Sequence, residues 1–231
     1  MWVILAALLF QAAVVRQPLD SGCSDLDFKA LDVMEQVVRR GDAGAIVETA
    51  RGSSPCAWVN LARLSLVGFQ QARDLAPLGG PAEHQAPVRT TLASLNQLRG
   101  RGLDLEVEYA DTVIRAAIAA AQDERPEMAL LLTHARDLAE RLTDRKRRAV
   151  WPRAFNVVAG ELWFEVDRFE DARAAYERAV MADPTPAAIV GLAHALARLN
   201  RQDEACRLLQ RLPEDAVSLR AETRRDFAEC R

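Results

Sequence analysis

The chain is poor in aromatic residues and in runs of β-branched residues. Aromatic side chains make up 6% of its 231 residues, although half of the residues are hydrophobic. No segment sustains the two-residue alternation of apolar and polar side chains that is typical of a half-buried strand. Alanine and leucine, both strong helix formers, are abundant instead. The composition therefore predicts an all-α protein that is long enough for one or two domains with a core of their own.

The sequence also lacks the motifs of common catalytic and metal sites. Lysine occurs only at Lys29 and Lys146, and neither follows a glycine-rich loop, which excludes a phosphate-binding loop of the usual kind. There is no His-Glu-x-x-His motif and no Gly-x-Ser-x-Gly motif. The three histidines, His84, His134 and His194, lie far apart in the sequence. We therefore expect a protein that is not an enzyme, with no metal site and no cofactor.

The charge is nearly balanced. The formal net charge is −3, so the whole chain creates no strong field that would attract nucleic acid or an anionic membrane. One basic run, residues 144–148, is interpreted as a polar linker beside the end of a helix, where positive charge is favourable; an acidic partner is the alternative. No aromatic residues are interleaved with it, as they are in single-strand binding surfaces, so no nucleic-acid partner is expected.

The first residues form an apolar segment. Residues 2–15 are apolar except for Gln11. This length suits the hydrophobic part of a signal peptide better than a membrane span of about 20 residues. Residues 1–17 are accordingly interpreted as a signal peptide of an exported or envelope-associated protein, with an uncleaved anchor or a buried first helix as alternatives. Membrane contact is expected only through this segment, and the buried-helix alternative implies a cytoplasmic protein.

Helix start and stop signals recur along the rest of the chain. They divide it into an N-terminal hairpin region at 24–76, a loop rich in proline and glycine at 77–87, a helical region at 88–152 and a last region at 153–231. Ser24 and Ser54 are predicted to cap the helices that follow them. The predicted helices lie near 24–41, 42–52, 53–76, 88–98, 103–122, 126–142, 148–166, 169–182, 187–199, 202–212 and 215–229.

The region at 153–185 carries small and large residues at a characteristic spacing. A glycine and an aromatic residue in a first helix precede an alanine and an aromatic residue in a second helix, and a proline follows. The matching residues are Asn156, Ala159, Gly160, Trp163, Ala172, Tyr176 and Pro184, with Ala179 as a further small residue. This segment resembles a tetratricopeptide repeat. The resemblance implies that the small residues let two helices approach closely, that the aromatic residues fill the space to the next hairpin, and that the proline ends the second helix.

The pattern recurs in a weaker form. A second copy lies 33 residues further on, with leucine in place of both aromatic residues. Residues 115–132 resemble a third, degenerate hairpin, and the N-terminal helices resemble another. The resemblance therefore implies an α–α superhelix, a solenoid of antiparallel hairpins, with degenerate repeats at 88–152 and a capping helix at the C-terminus. An ordinary helical bundle remains the alternative for residues 24–142.

The resemblance also implies a function. Such a solenoid acts as a non-catalytic scaffold or adaptor that binds a protein or peptide; a regulatory subunit of an enzyme complex is the alternative. The partner would bind a concave face that is lined by first helices. A mixed apolar and acidic face suits an amphipathic helix or an extended basic peptide. The residues expected on this face are Val157, Glu161, Phe164, Val190, His194 and Ala197.

The four cysteines are even in number and form no Cys-x-x-Cys motif. They are interpreted either as four buried thiols or as two disulfides in an oxidising compartment. The repeat resemblance implies two pairs. First helices of successive repeats lie side by side, which would bring Cys23 close to Cys56, and neighbouring antiparallel helices would bring Cys206 close to Cys230.

Overall fold

The fold is a succession of helices. The computed structural model describes residues 23–40, 52–75, 85–144 and 154–212, together with Phe227 and Cys230. Over these residues it contains nine helices and no strand, which confirms the all-α prediction. The helices are α1 (Asp25–Arg40), α2 (Ala57–Arg73), α3 (Ala86–Asn96), α4 (Asp104–Ala121), α5 (Arg125–Asp144), α6 (Phe155–Glu165), α7 (Phe169–Ala182), α8 (Pro186–Arg198) and α9 (Gln202–Leu209).

Some of the sequence predictions concern other parts of the chain. The segment 1–17, the predicted helix at 42–52 except for Gly52, and the predicted C-terminal helix at 215–229 except for Phe227 lie outside the described residues. No helix within the described part of the chain is both long enough and apolar enough to cross a lipid bilayer.

The same turn joins the two helices of three successive hairpins. Its central residue is Asp123, Asp167 or Asn200, with φ angles of 56°, 58° and 62°. In each case the next backbone N–H donates to the carbonyl five residues earlier, which is the Schellman arrangement that ends a helix. The second helix of the hairpin then begins one residue later. These hydrogen bonds are 2.8 Å from Glu124 to Ala119, 2.9 Å from Arg168 to Trp163 and 2.9 Å from Arg201 to Leu196.

The helical hairpins pack side by side in the order of the sequence. The first helices α2, α4, α6 and α8 contact one another in succession, and the second helices α3, α5, α7 and α9 each contact the first helix of their own hairpin. Close approach within the row depends on small residues: a Cβ added at Gly68 of α2 would lie 2.6 Å from Cδ1 of Ile114 of α4. The described helices therefore form the row of antiparallel hairpins that the repeat resemblance implies.

Helix α1 lies against both ends of this row. It contacts both α2 and α8, the first and the last of the first helices. Near its start Cys23 is joined to Cys56, which directly precedes α2. Near its end Arg39 pairs with Asp183, three residues before α8, with 2.8 Å between Nη1 and Oδ2. A helix of 16 residues is about 24 Å long. Helix α1 therefore spans the row from the beginning of α2 to the beginning of α8.

The cap of α1 matches the prediction, whereas the cap of α2 does not. The Ser24 hydroxyl accepts the Asp27 N–H at 3.3 Å, and the Asp27 carboxylate accepts the Ser24 N–H at 2.8 Å, which makes a reciprocal capping pair. Ser54 does not cap α2, because α2 begins only at Ala57 and its N-cap is Cys56. The Ser54 hydroxyl instead accepts the Cys56 N–H and donates to the Asp27 carboxylate. Ser54 thus links the beginnings of α1 and α2.

The buried core continues across the predicted loop at 77–87. One large cluster of buried apolar side chains extends from α1 to α7, and a second cluster joins α6, α7, α8 and α9 to Phe227. Trp163 lies against both clusters. The last two loop residues, Ala86 and Pro87, already belong to α3, because a proline is well tolerated in the first turn of a helix. The helices before and after this loop therefore share one apolar core.

Candidate functional site

Tyr176 of α7 lies between two glycines of neighbouring first helices. A Cβ added at Gly160 of α6 would lie 2.8 Å from the Tyr176 ring, and one added at Gly191 of α8 would lie 2.3 Å from its Cε1 atom. The ring therefore packs directly on helix backbone on both sides. This arrangement sets the distance between α6 and α8, and hence the geometry of the surface that these two helices carry.

The other residues of the repeat pattern lie around this contact. Ala172 and Ala179 are buried in the same cluster as Tyr176, and Trp163 lies between the two core clusters. Pro184 stands in the short link between the end of α7 and Thr185, the N-cap of α8. The Thr185 hydroxyl accepts the Ala188 N–H at 3.3 Å, so α8 begins at a fixed point after the proline.

Two of the six residues expected on the concave face make internal contacts. Val157 is buried in the core cluster of α6 to α9. Glu161 pairs with Arg73 of α2 at 3.8 Å, and Glu165, one turn further on, also pairs with Arg73. Burial of the Arg73 guanidinium works to lower its pKa, but the two carboxylates outweigh this and raise the pKa above its usual value. Glu161, the acidic member of the expected mixed apolar and acidic face, is thus engaged by Arg73 of α2.

The four remaining residues form what we call the inner face: Phe164 of α6 and Val190, His194 and Ala197 of α8. Spacings of four and three residues place the α8 members on one side of that helix. The rings of Phe164 and His194 are 6.4 Å apart and nearly perpendicular. All four residues are partly exposed. The structure thus brings together these four of the six expected residues.

Phe227, from the C-terminal part of the chain, packs on the inner face. Its ring centroid is 5.0 Å from that of His194, and only 4% of the residue is exposed. Its carbonyl accepts the Cys230 N–H at 2.9 Å, and Cys230 is bonded to Cys206 of α9. The end of the chain is therefore tied to the last hairpin with Phe227 placed against α8.

A cation lies at the edge of this surface. The Arg198 guanidinium is 4.2 Å from the ring centroid of Phe169 and 5.9 Å from that of Phe164, within the range of cation–π attraction. The two phenylalanine rings are 5.3 Å apart, edge to face. About half of the Arg198 side chain is exposed, and its Nη2 atom lies 3.4 Å from the Asp167 carboxylate. The inner face is thus bordered by stacked aromatic rings and a positive charge.

Sequence reasoning missed four residues of this site: Phe169, Gly191, Arg198 and Phe227. Gly191 carried a usable signal, because a glycine inside an alanine-rich helix costs about 1 kcal/mol relative to alanine and needs a packing reason. Phe169 and Arg198 lie beside hairpin turns, so their contact depends on how two successive hairpins are stacked. Within the described part of the chain no group of three or more histidines, cysteines and acidic residues is placed to hold a metal ion.

Both cysteine pairs that the repeat resemblance implies are joined. Cys23 and Cys56 have their Cα atoms 4.5 Å apart, and Cys206 and Cys230 have theirs 5.2 Å apart. Both separations lie in the range of ordinary disulfides. Cys56 is completely buried, whereas Cys206 and Cys230 are partly exposed. Two disulfides are characteristic of proteins in oxidising compartments.

Comparison with known families gives a match in the last third of the chain. A tetratricopeptide-repeat family model matches residues 164–222, which run from the end of α6 through α7, α8 and α9 to the residues beyond. This match confirms the resemblance for that segment. Searches of curated proteins and of solved structures found no match. A repeat of this kind indicates a scaffold for protein–protein interaction.

Proposed function

We propose that this chain, with its tetratricopeptide repeat at 164–222, is an exported or envelope-associated adaptor without catalytic activity that binds a protein or peptide through its inner face. The observation that carries the proposal is the aromatic surface within the matched segment. Phe164 and His194 are partly exposed there, and Arg198 presents its guanidinium beside them. Aromatic residues and arginine are the side chains most enriched in the energetic centres of protein interfaces.

The charges around the inner face favour one kind of partner. Glu161 and Glu165 are engaged by Arg73, so they offer little attraction to a basic peptide. The other charge that borders the surface is the cation of Arg198, which Asp167 pairs through Nη2 only and which remains about half exposed. A partner segment with an apolar side chain followed by a carboxylate would therefore match this surface better than an extended basic peptide, which is one of the two partners expected from the sequence.

Site-specific photo-crosslinking tests this binding surface. A photoreactive phenylalanine analogue is placed at Val190 or Ala197 on the inner face, and at Leu130 on α5 as the control. Leu130 is an apolar residue that is 71% exposed on a second helix, away from the inner face. We expect the same crosslinked protein from both inner-face positions in the native host, none from Leu130, and loss of the crosslink when R198E is added. Equal crosslinking from Leu130 would contradict the proposed surface.

The exported location rests on separate observations. Two disulfides suit an oxidising compartment, and residues 2–15 have the length of a signal-peptide core. The test is the intact mass of the protein from an export-competent host, with and without alkylation. We expect loss of roughly 13 to 22 N-terminal residues, as signal-peptide cleavage would give, and no cysteine open to alkylation. A full-length chain with four alkylated cysteines would overturn the exported location and leave the adaptor role standing.

A further inference from the structure

The inner face already holds one aromatic side chain of the chain itself. Phe227 is almost completely buried against His194, although it follows the end of α9 by 18 residues of sequence. It belongs to the same apolar cluster as Val157, Tyr176 and Leu192. An aromatic ring is therefore accommodated at this position of α8 with its apolar surface removed from water.

In addition to the backbone, one disulfide holds Phe227 near this contact. Cys230 lies three residues after Phe227, and its N–H donates to the Phe227 carbonyl. The bond from Cys230 to Cys206 thus limits how far the Phe227 ring can move from α8. Cys206 and Cys230 are both partly exposed, so a reductant can attack either of their sulfurs, whereas in the Cys23–Cys56 bond only Cys23 is partly exposed and Cys56 is completely buried.

We propose that the inner face is a binding site for an aromatic side chain, that Phe227 is its internal occupant, and that the Cys206–Cys230 disulfide decides between Phe227 and a phenylalanine of a partner peptide. This inference rests on the proposed function, since it concerns the same surface. With the bond closed, Phe227 stays at high local concentration and weakens the binding of the peptide. With the bond open, Phe227 is tethered only by the 18 residues of chain after α9, and the peptide competes on more equal terms.

The opening step needs a dithiol reductant. One thiolate of the dithiol attacks a sulfur of the Cys206–Cys230 bond and forms a mixed disulfide, and the second thiol of the reductant then displaces the chain's sulfur. The chain gains two electrons and two protons as two cysteine thiols. The dithiol is oxidised to one disulfide, so the exchange is balanced.

Proton NMR of the histidine rings detects the release of Phe227. The full chain has three histidines, so the His194 resonance can be assigned with an H194Q variant. Oxidised wild type is treated stepwise with dithiothreitol, and a C23S/C56S variant is treated in parallel so that only the Cys206–Cys230 bond is reducible. We expect the His194 resonance to move on reduction toward its position in oxidised F227A, while the His134 resonance on α5 stays unchanged. A His194 resonance that is the same in oxidised, reduced and F227A protein would overturn the inference.

A second measurement tests the acceptor site itself. The probe is a fluorescent peptide of residues 221–231 that carries the C230S substitution, and its control carries F227A in addition. We expect the probe to bind oxidised F227A and reduced wild type at least about tenfold more tightly than oxidised wild type, because one buried aromatic anchor is worth that much. The control peptide should bind none of them. Equal affinity for oxidised wild type and F227A would overturn the inference, whereas the adaptor role itself fails only if crosslinking shows no inner-face partner.

Discussion

Tyr176 is held between two helix backbones because Gly160 and Gly191 present no side chain to its ring. In an ordinary helix an alanine is more stable than a glycine by about 1 kcal/mol, since glycine loses more backbone freedom on folding. At Gly160 and Gly191 we expect glycine to be more stable than alanine, because an added Cβ would lie less than 3 Å from atoms of the Tyr176 ring. The ring cannot move away from one glycine without moving into the other. The two glycines therefore stabilise the fold because the Tyr176 ring occupies the positions where their Cβ atoms would be.

We expect G191A to lower the free energy of unfolding by about 1–3 kcal/mol, the usual cost of overpacking a close contact. The added Cβ would lie 2.3 Å from Cε1 of the Tyr176 ring. Urea denaturation followed by circular dichroism measures the change. The control is the double variant G191A/Y176L, since leucine is what the second copy of the pattern carries at the position of Tyr176. Y176L alone completes the comparison. If the loss of stability in G191A/Y176L equals the sum of the losses in G191A and in Y176L, the ring is not the source of the cost.

The repeat residues differ in how far the sequence alone could identify them. Gly160 and Tyr176 could be paired in advance, because their spacing follows a known pattern. Gly191 could not, because it stands two positions before Ala193, which the shifted pattern aligns with Gly160. Gly191 is needed because the Tyr176 ring of the preceding hairpin packs against its Cα atom. A side chain that is shared by two hairpins leaves no regular spacing within either one.

Among the elements, the hairpin turn has the clearest sequence dependence. Asp123, Asp167 and Asn200 all adopt positive φ angles, which asparagine and aspartate tolerate better than other residues with a Cβ. Glycine tolerates this conformation best. The three turns thus share the requirement for a positive φ at the central residue. Their sequences resemble one another only at that residue, which is aspartate or asparagine.

We expect N200G to raise the free energy of unfolding by up to about 1 kcal/mol and N200A to lower it by about 1 kcal/mol, because only glycine adopts the left-handed conformation without strain. Thermal unfolding of the two variants measures both changes. Gln210, at the end of α9, is the matched control: its φ is −63°, so Q210G should lower the stability. A loss of stability in N200G as large as that in Q210G would contradict the role of the φ angle.

The beginning of α1 depends on an ionised carboxylate. The hydrogen bond from the Ser24 hydroxyl, followed by that from Ser54, lowers the pKa of Asp27 below its ordinary value. A carboxyl group whose pKa is lower in the folded state stabilises the fold above its unfolded pKa of about 4. This stabilisation is lost as the pH falls through the lower pKa of the folded state.

We therefore expect D27N to be less stable than wild type at neutral pH and this difference to shrink below about pH 4. Thermal unfolding of both proteins between neutral and acidic pH measures it. D137N serves as the control for the loss of one carboxylate elsewhere in the fold, because Asp137 lies exposed on α5. A D27N difference that grows as the pH falls would have the wrong sign for a lowered pKa.

The helices themselves were predictable, whereas their ends were less so. The period of apolar residues located each described helix, and residues 169–182 were predicted with the observed bounds of α7. Ser54 shows why the prediction of caps can fail. Its hydroxyl donates to Asp27 of another helix, and local sequence propensities carry no information about a contact between distant residues. The ion pair of Glu161 was unpredictable for a similar reason, because its partner Arg73 lies 88 positions earlier in the sequence.

At the scale of the whole molecule, α1 turns a row of hairpins into a closed arrangement. It contacts the first helix of the first hairpin and that of the last, and it buries Leu31, Met34 and Val38 in the core. Its two ends are attached differently. One is joined by the Cys23–Cys56 bond, and the other by an ion pair whose Arg39 and Asp183 side chains are 44% and 46% exposed.

We expect the covalent end to matter much more than the ionic end. In the chain-entropy description a disulfide that closes a loop of this length contributes about 3–4 kcal/mol, whereas an exposed ion pair contributes about 1 kcal/mol or less. Hydrogen exchange measured by mass spectrometry should therefore show α1 exchanging at least about a hundredfold faster in C23S/C56S, with α4 to α9 little changed. R39A should leave α1 close to wild type. If R39A and C23S/C56S accelerated α1 equally, the ion pair would be an equal partner in closing the row; if neither did, burial of Leu31, Met34 and Val38 alone would hold α1 across it.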